Sequence, residues 1–129
     1  IKMNLGFIGT GEITKAVVTG ILASKIKYKS ILLSKRNLKI SSSLKKKSSK
    51  IKILDNNQDI INKSNWIFLS ITPNVGKKII KDLKFKKKQI IISFISTIKL
   101  NELKKYIKTK NIIVRAIPLP PIALGVGPV

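Results

Sequence analysis

Apolar residues in this chain fall into short unbroken runs, separated by stretches in which they recur every three or four positions. Met3 to Ile8 (MNLGFI), Ser30 to Leu33, Ile51 to Leu54, Trp66 to Ile71, Gln89 to Ile95 and Asn111 to Ile117 have strand length and composition. From Glu12 the spacing becomes helical, with Ile13, Ala16, Val17, Gly20 and Ile21 on one face. Further helices are predicted over Leu38 to Lys47, Asp59 to Lys63, Pro73 to Leu83 and Leu100 to Ile107; proline suits a first helical turn.

The strand runs are continuously apolar, not alternating. Such strands are buried on both faces, as in a parallel sheet covered by crossover helices. Strict alternation of strand and helix therefore predicts an α/β, Rossmann-type doubly wound parallel sheet of six strands in the order 3-2-1-4-5-6. Residues 1–117 form this domain. Residues 118–129 (PLPPIALGVGPV) are too rich in proline and glycine to extend the sheet, and read as a segment leading elsewhere.

Composition then narrows the chemistry. There is no cysteine and no histidine, so disulfides, thiolate nucleophiles, imidazole acid–base catalysis and Cys/His metal sites are excluded, and no metal is expected. No apolar run approaches the roughly 20 residues of a membrane span, and glycines interrupt the first apolar stretch, so neither membrane insertion nor secretion is expected and a cytoplasmic setting fits. The net charge of +22 invites a polyanion partner. Isoleucine and lysine each occur 25 times, however, and arginine only twice, the bias of an AT-rich genome. The lysines are scattered along the chain and aromatic content is 5%, so nucleic acid is not the expected partner. The lysine- and serine-rich stretch 41–50 reads as a solvated helix face and loop.

Gly9-Thr10-Gly11 lies between the first strand and the first helix. A first glycine permits the tight turn, a second lets backbone approach a diphosphate, and the free amides of the helix start face the anion. Thr14 holds the third position of the G-x-G-x-x-G/A fingerprint, where a small residue is usual. NAD sites carry a carboxylate at the end of the second strand, about 20 residues beyond the glycines. Here that position reads Ser34-Lys35-Arg36-Asn37, with no acid to repel a 2′-phosphate. Ser34 can hydrogen-bond such a phosphate and Arg36 can clamp it. NADP(H) is therefore favoured over NAD(H).

Several motifs together resemble the pyrroline-5-carboxylate reductase family. GFIGTGEITKAVVTGIL resembles that family's GFIGxGxMxxAxxxGL, and Ser34 and Arg36 fall on its serine- and arginine-containing NADP loop. Asn57 matches the Asn of N-x-x-x-V. WIFLSITPNV, IIISFISTIKLNEL and IIVRAIPLPPIALGVG resemble later family motifs in the same order. The resemblance implies that Gly9, Thr10, Gly11, Glu12 and Ile13 line the pyrophosphate. By the same likeness Ser34, Arg36 and Asn37, with Lys35 beside them, hold the 2′-phosphate. It puts Asn57 at the adenosine ribose, and Ile71, Thr72 and Pro73 beside the ribose and nicotinamide. Ser96, Thr97, Pro118 and Leu119 fall toward the substrate. Departures cluster at that end: Thr72 replaces a lysine, Ser96-Thr97 an Ala-Gly pair and Leu119-Pro120 an Asn-Thr pair.

The implied activity is hydride transfer from NADPH to the C=N bond of a cyclic imine, 1-pyrroline-5-carboxylate, giving proline. No catalytic acid is assigned. The family continues into an all-helical domain that builds a homodimer and completes the substrate pocket, so this chain reads as part of a longer protein, with little or no turnover of its own. Two other assignments stay open. F420-dependent NADP reductases and β-hydroxyacid dehydrogenases share the N-terminal pattern, and a non-catalytic dinucleotide- or nucleic-acid-binding module would need no further chemistry.

Overall fold

The structure, a computed structural model, describes residues 3–117. Six strands, β1 (Asn4–Ile8), β2 (Ser30–Ser34), β3 (Ile51–Leu54), β4 (Trp66–Leu69), β5 (Ile90–Ser93) and β6 (Ile112–Arg115), form one sheet in the order β3-β2-β1-β4-β5-β6. Every pairing is parallel. The connecting helices are α1 (Glu12–Ala23), α2 (Leu38–Lys45), α3 (Asn57–Lys63), α4 (Pro73–Asp82) and α5 (Leu100–Ile107). The doubly wound order expected from the apolar runs is thus the order found.

Two apolar layers flank the sheet. On one face, α1 and α2 cover Leu5, Phe7, Ile31 and Leu33, and Phe7 stacks on Phe68 with ring centroids 4.5 Å apart. On the other face, Ile8, Ile67, Leu69 and Ile91 pack with Ile60, Ile80 and Leu103 of α3, α4 and α5. Alternate residues of each strand feed opposite layers, which is why the central strands are apolar throughout. β6 departs from that expectation. As an edge strand it leaves Ile112 66% and Val114 47% exposed. Close helix–strand approach also has a local cause: a Cβ on Gly6 would collide with the Ser64 hydroxyl at the end of α3.

Differences from the expected elements are small but physical. The buried stripe of α1 is Thr14, Val17, Val18, Gly20 and Ile21, with Ile13 and Ala16 only half-buried. The stripe is rotated because a buried threonine at position 14 finds hydrogen-bond partners, as described below. α3 starts at Asn57, not Asp59, because the Asn56 side chain caps it by accepting from the Asp59 amide at 2.9 Å. α2 is not wholly solvated: Leu44 and Ser41 are fully buried.

Candidate cofactor site

In a parallel sheet of this order, β1 and β4 are neighbours whose crossover connections leave toward opposite faces. That switch point opens a crevice at the carboxyl ends of the strands. The chain leaving β1 turns through Gly9 at φ +104, where a side chain would be strained and a Cβ would come within 2.6 Å of the Ser70 carbonyl oxygen. Gly11 is the N-cap of α1. It has extended backbone and supplies no side-chain cap. The first-turn amides of a helix have no acceptor within the helix, so these donors face the crevice together with the positive end of the helix dipole. A Cβ at Gly11 would meet nothing within 4 Å. Packing does not require glycine there; the space it leaves belongs to the crevice.

A lattice of hydroxyls holds the loop in place. Thr14 Oγ1 donates to the Gly9 carbonyl at 2.7 Å and lies 2.6 Å from Ser70 Oγ. Thr10 Oγ1 lies 2.8 Å from Ser34 Oγ and 3.2 Å from the Ser34 carbonyl. The loop is thereby tied to β4 on one side and β2 on the other. Thr14 is wholly buried, so the larger residue at the third fingerprint position is accommodated by pairing its hydroxyl.

Three adjoining clefts curve around Gly11 and Glu12. One of about 260 Å³ is bounded by Gly9–Gly11, Arg36, Asn37 and the 70–72 turn. A second, of about 380 Å³, runs from Gly11–Ile13 past Ile71 and Thr72 to Phe94, Ile95 and Ser96. The third, of about 310 Å³, lies between α1 and α2, with Lys15, Asn37, Lys39 and Ser43 in its wall. Glu12 is exposed and borders the second and third clefts.

Most of the residues expected at a cofactor are brought together here. Arg36 is exposed and lines the first cleft. Asn37 lines it too, while its Oδ1 caps α2 by accepting from the Ile40 amide at 3.4 Å. Ser34 is 5% exposed, with its hydroxyl engaged by Thr10. Lys35 pairs with Asp55 at 3.3 Å, both side chains well exposed. Ile71 and Thr72 face the first two clefts, and Pro73 opens α4. Asn57, the first residue of α3, and Thr97 border none of the three clefts. Pro118 and Leu119 lie outside the described residues. Ser70, Val75, Phe94, Lys15 and Lys39 line the crevice without having been anticipated. Only Ser70 carried a signal, as the one polar residue inside an apolar strand run.

This arrangement fits a dinucleotide: free amides and a helix dipole for a diphosphate, an open glycine, and a guanidinium where β2 ends. Among the described residues no group of three or more acidic side chains could hold a metal ion, and no helix is long and apolar enough to cross a membrane.

Comparison with known proteins gives the same assignment. The sequence pattern of the family described as NADP oxidoreductase, coenzyme F420-dependent, matches residues 4–97. A pyrroline-5-carboxylate reductase of Arabidopsis thaliana is 25% identical over 126 residues, covering 96% of this chain and 45% of that protein. That of Pisum sativum is 28% identical over 127 residues, covering 94% and 44%. The chain therefore spans less than half the length of these curated relatives. Among solved structures, the pyrroline-5-carboxylate reductase of Coxiella burnetii superposes with a TM-score of 0.82 at 22% identity, over 96% of this chain and 47% of that one. The NADP-bound Plasmodium falciparum pyrroline carboxylate reductase gives 0.79 at 20% identity, over 95% and 45%. At these identities the structural likeness speaks to the fold.

Proposed function

This chain belongs to the coenzyme F420-dependent NADP oxidoreductase family, and on that premise we propose that it is the NADPH-binding part of a reductase acting on a cyclic imine, 1-pyrroline-5-carboxylate. Preference for the 2′-phosphorylated cofactor rests on one observation: Arg36 lines the same cleft as Gly9, Thr10 and Gly11, and residues 34–37 contain no carboxylate. The relatives named above as pyrroline-5-carboxylate reductases support the substrate.

Bound nicotinamide supplies the hydride; the chain supplies position and electrostatics. The α1 amides hold the diphosphate through the aligned helix dipole. Arg36 takes the 2′-phosphate through its planar fork. Ile71 and Thr72 bound the path leading from the diphosphate toward Phe94 and Ser96. Among the described residues no carboxylate other than Glu12 lines the three clefts, so the proposal assigns the proton donor and the rest of the substrate pocket to other parts of the full protein; it further includes a homodimer and a cytoplasmic location, which the clefts do not bear on.

Titration of cofactor fluorescence tests this reading. NADPH should bind at least tenfold more tightly than NADH. Arg36→Ala should weaken NADPH by about tenfold or more, as expected for loss of a charge-assisted pair, and leave NADH unchanged. Tighter NADH binding, or unaltered NADPH affinity in the variant, would overturn it.

A second reading has its own support. The family description names coenzyme F420, and Thr72 and Ser96, which line the second cleft, depart from the imine-reductase pattern at the substrate end. Assaying the full-length protein with pyrroline-5-carboxylate and, separately, with F420 distinguishes the two. NADPH oxidation by F420 alone would assign the chain to deazaflavin reduction.

A further inference from the structure

The lysines that look scattered along the chain are gathered by the topology. All six strands run the same way, so every helix-to-strand connection lies at the amino end of the sheet, opposite the crevice. The connections 24–29, 46–50, 83–89 and 108–111 carry three, three, four and two lysines respectively, twelve in all, with no acidic residue. Each of these lysines is exposed. The strand-to-helix connections at the other end, 9–11, 35–37, 55–56, 70–72 and 94–99, carry only Lys35, Arg36 and Lys99 against Asp55. Neither ion pair among the described residues involves a lysine of the basic end.

This end is also held in shape. Asn111 Nδ2 donates to the carbonyls of Lys86 and Gln89 at 2.6 and 2.8 Å, fastening the 108–111 loop to the 83–89 loop. Gln89 Oε1 accepts from the Lys86 amide at 2.8 Å, closing the turn that displays Lys87 and Lys88. Lys50 Nζ lies 5.1 Å from the Tyr28 ring centroid, joining the other two loops.

We propose that this lysine-rich end is a docking face for the phosphate backbone of duplex nucleic acid. Six strands at about 4.8 Å spacing make the sheet end roughly 24 Å wide, enough to meet about 14 phosphate charges along a duplex at about 1.7 Å each. The cations are lysines, which meet phosphates as point charges and lack the fork that reads base edges, so recognition is independent of sequence. The face has no row of exposed aromatic rings on which single-stranded bases could stack. An anionic membrane fits less well, because Ile26 is the one large apolar side chain that these four loops expose among the described residues.

Fluorescence anisotropy with a random-sequence 20-base-pair duplex, from 50 to 200 mM KCl, tests the proposal. Engagement of about six phosphates gives a slope of log K on log salt near −5. The triple variant Lys84→Glu, Lys87→Glu, Lys88→Glu should lose at least tenfold in affinity. Lys15→Glu, Lys39→Glu, Lys99→Glu, with the same change in net charge near the other end, should lose less than threefold. Circular dichroism melts establish that both are folded; Lys25→Gln, Lys27→Gln, Lys29→Gln replaces the first variant if it is not, and should likewise weaken binding more than the control. Equal losses in the variants of the two ends would mean that net charge alone acts, and would overturn the proposal. So would the absence of duplex binding, including a result in which only phosphatidylserine vesicles bind.

Discussion

Two glycines of the phosphate loop should fail in opposite ways when given a methyl group. Gly9 has φ +104, a region that costs a side-chain-bearing residue roughly 1–3 kcal/mol. Its new Cβ would stand 2.6 Å from the Ser70 carbonyl oxygen and 2.9 Å from the Ile71 nitrogen, both backbone atoms of the β4 end, which must move to make room. Overpacking against atoms that cannot rotate away adds about 1–3 kcal/mol. Gly9→Ala should therefore lose on the order of 3 kcal/mol, a large part of the roughly 5–15 kcal/mol that holds a domain folded. Gly11 has φ −114 and open space where its Cβ would be, so Gly11→Ala should keep stability to within about 1 kcal/mol. Its methyl instead stands in the crevice and keeps a diphosphate from the α1 amides. Hydrogen bonds to a charged group are worth about 1.5–3 kcal/mol each, so losing one weakens NADPH roughly 10- to 100-fold. Urea melts give the first quantity and cofactor fluorescence the second. The reasoning is refuted if Gly11→Ala binds NADPH as the parent does, or if both variants lose stability equally.

Other outcomes follow from the same contacts. Thr14→Val keeps the shape but takes the donor from the Gly9 carbonyl and leaves Ser70 Oγ only its long bond to the Ile8 carbonyl at 3.4 Å, so urea melts should report a loss of about 1–3 kcal/mol. Gln89→Ala removes donors to the carbonyls of Ile61 and Ser64 and the acceptor of the Lys86 amide, all at the end remote from the crevice. It should cost about 3 kcal/mol or more in urea while leaving the NADPH dissociation constant of the folded protein unchanged. Partial desolvation is the largest single influence on the Glu102 carboxyl and pushes its pKa up. The Lys77 ammonium beside it, together with hydrogen bonds from Lys77, the Lys99 amide and Tyr106, outweighs this and holds the group below the ordinary value of 4.5. Its contribution to stability is present above pH 4.5 and is lost as pH falls through the lowered folded value. Glu102→Gln should therefore differ from the parent at neutral pH and converge with it in melts recorded at strongly acid pH.

The parts of this molecule that were legible in its sequence rest on local periodicity. Six apolar runs, their unbroken character and the alternation with helices were enough for the sheet order. Gly9, Gly11 and Arg36 were legible because a turn, an uncapped helix start and a cation at the end of β2 each leave a residue-type signature. The hydroxyl lattice was not legible: Thr10 meets Ser34 and Thr14 meets Ser70 across 24 and 56 positions, and a threonine gives no sign of which distant hydroxyl it will find. The same pairing explains the rotated face of α1, since burial of Thr14 depends on partners from β1 and β4. The start of α3 was not legible either: periodicity begins it at Asp59, whereas the Asn56 cap, fixed by the chain geometry at the end of β3, begins it at Asn57.

The charge of this protein shows why composition alone misleads in both directions. A value of +22 looks like a function, and a scatter of lysines looks like drift. Yet the parallel sheet imposes a partition that neither number contains. Helix starts, where amides must stay open for an anion, lie at the carboxyl ends of the strands, and helix ends lie at the other. Lysine near a helix C-terminus complements the dipole and is stabilising by about 0.3–1 kcal/mol, while at a helix start it opposes the dipole. Lysines accumulating for any reason are thus tolerated unequally at the two ends of this fold. The dipoles that make one end a cradle for a diphosphate make the other end the place where ammonium groups collect. The four lysine loops therefore act as a set: reversing three charges in one of them changes the face, whereas reversing three near the crevice changes only the total.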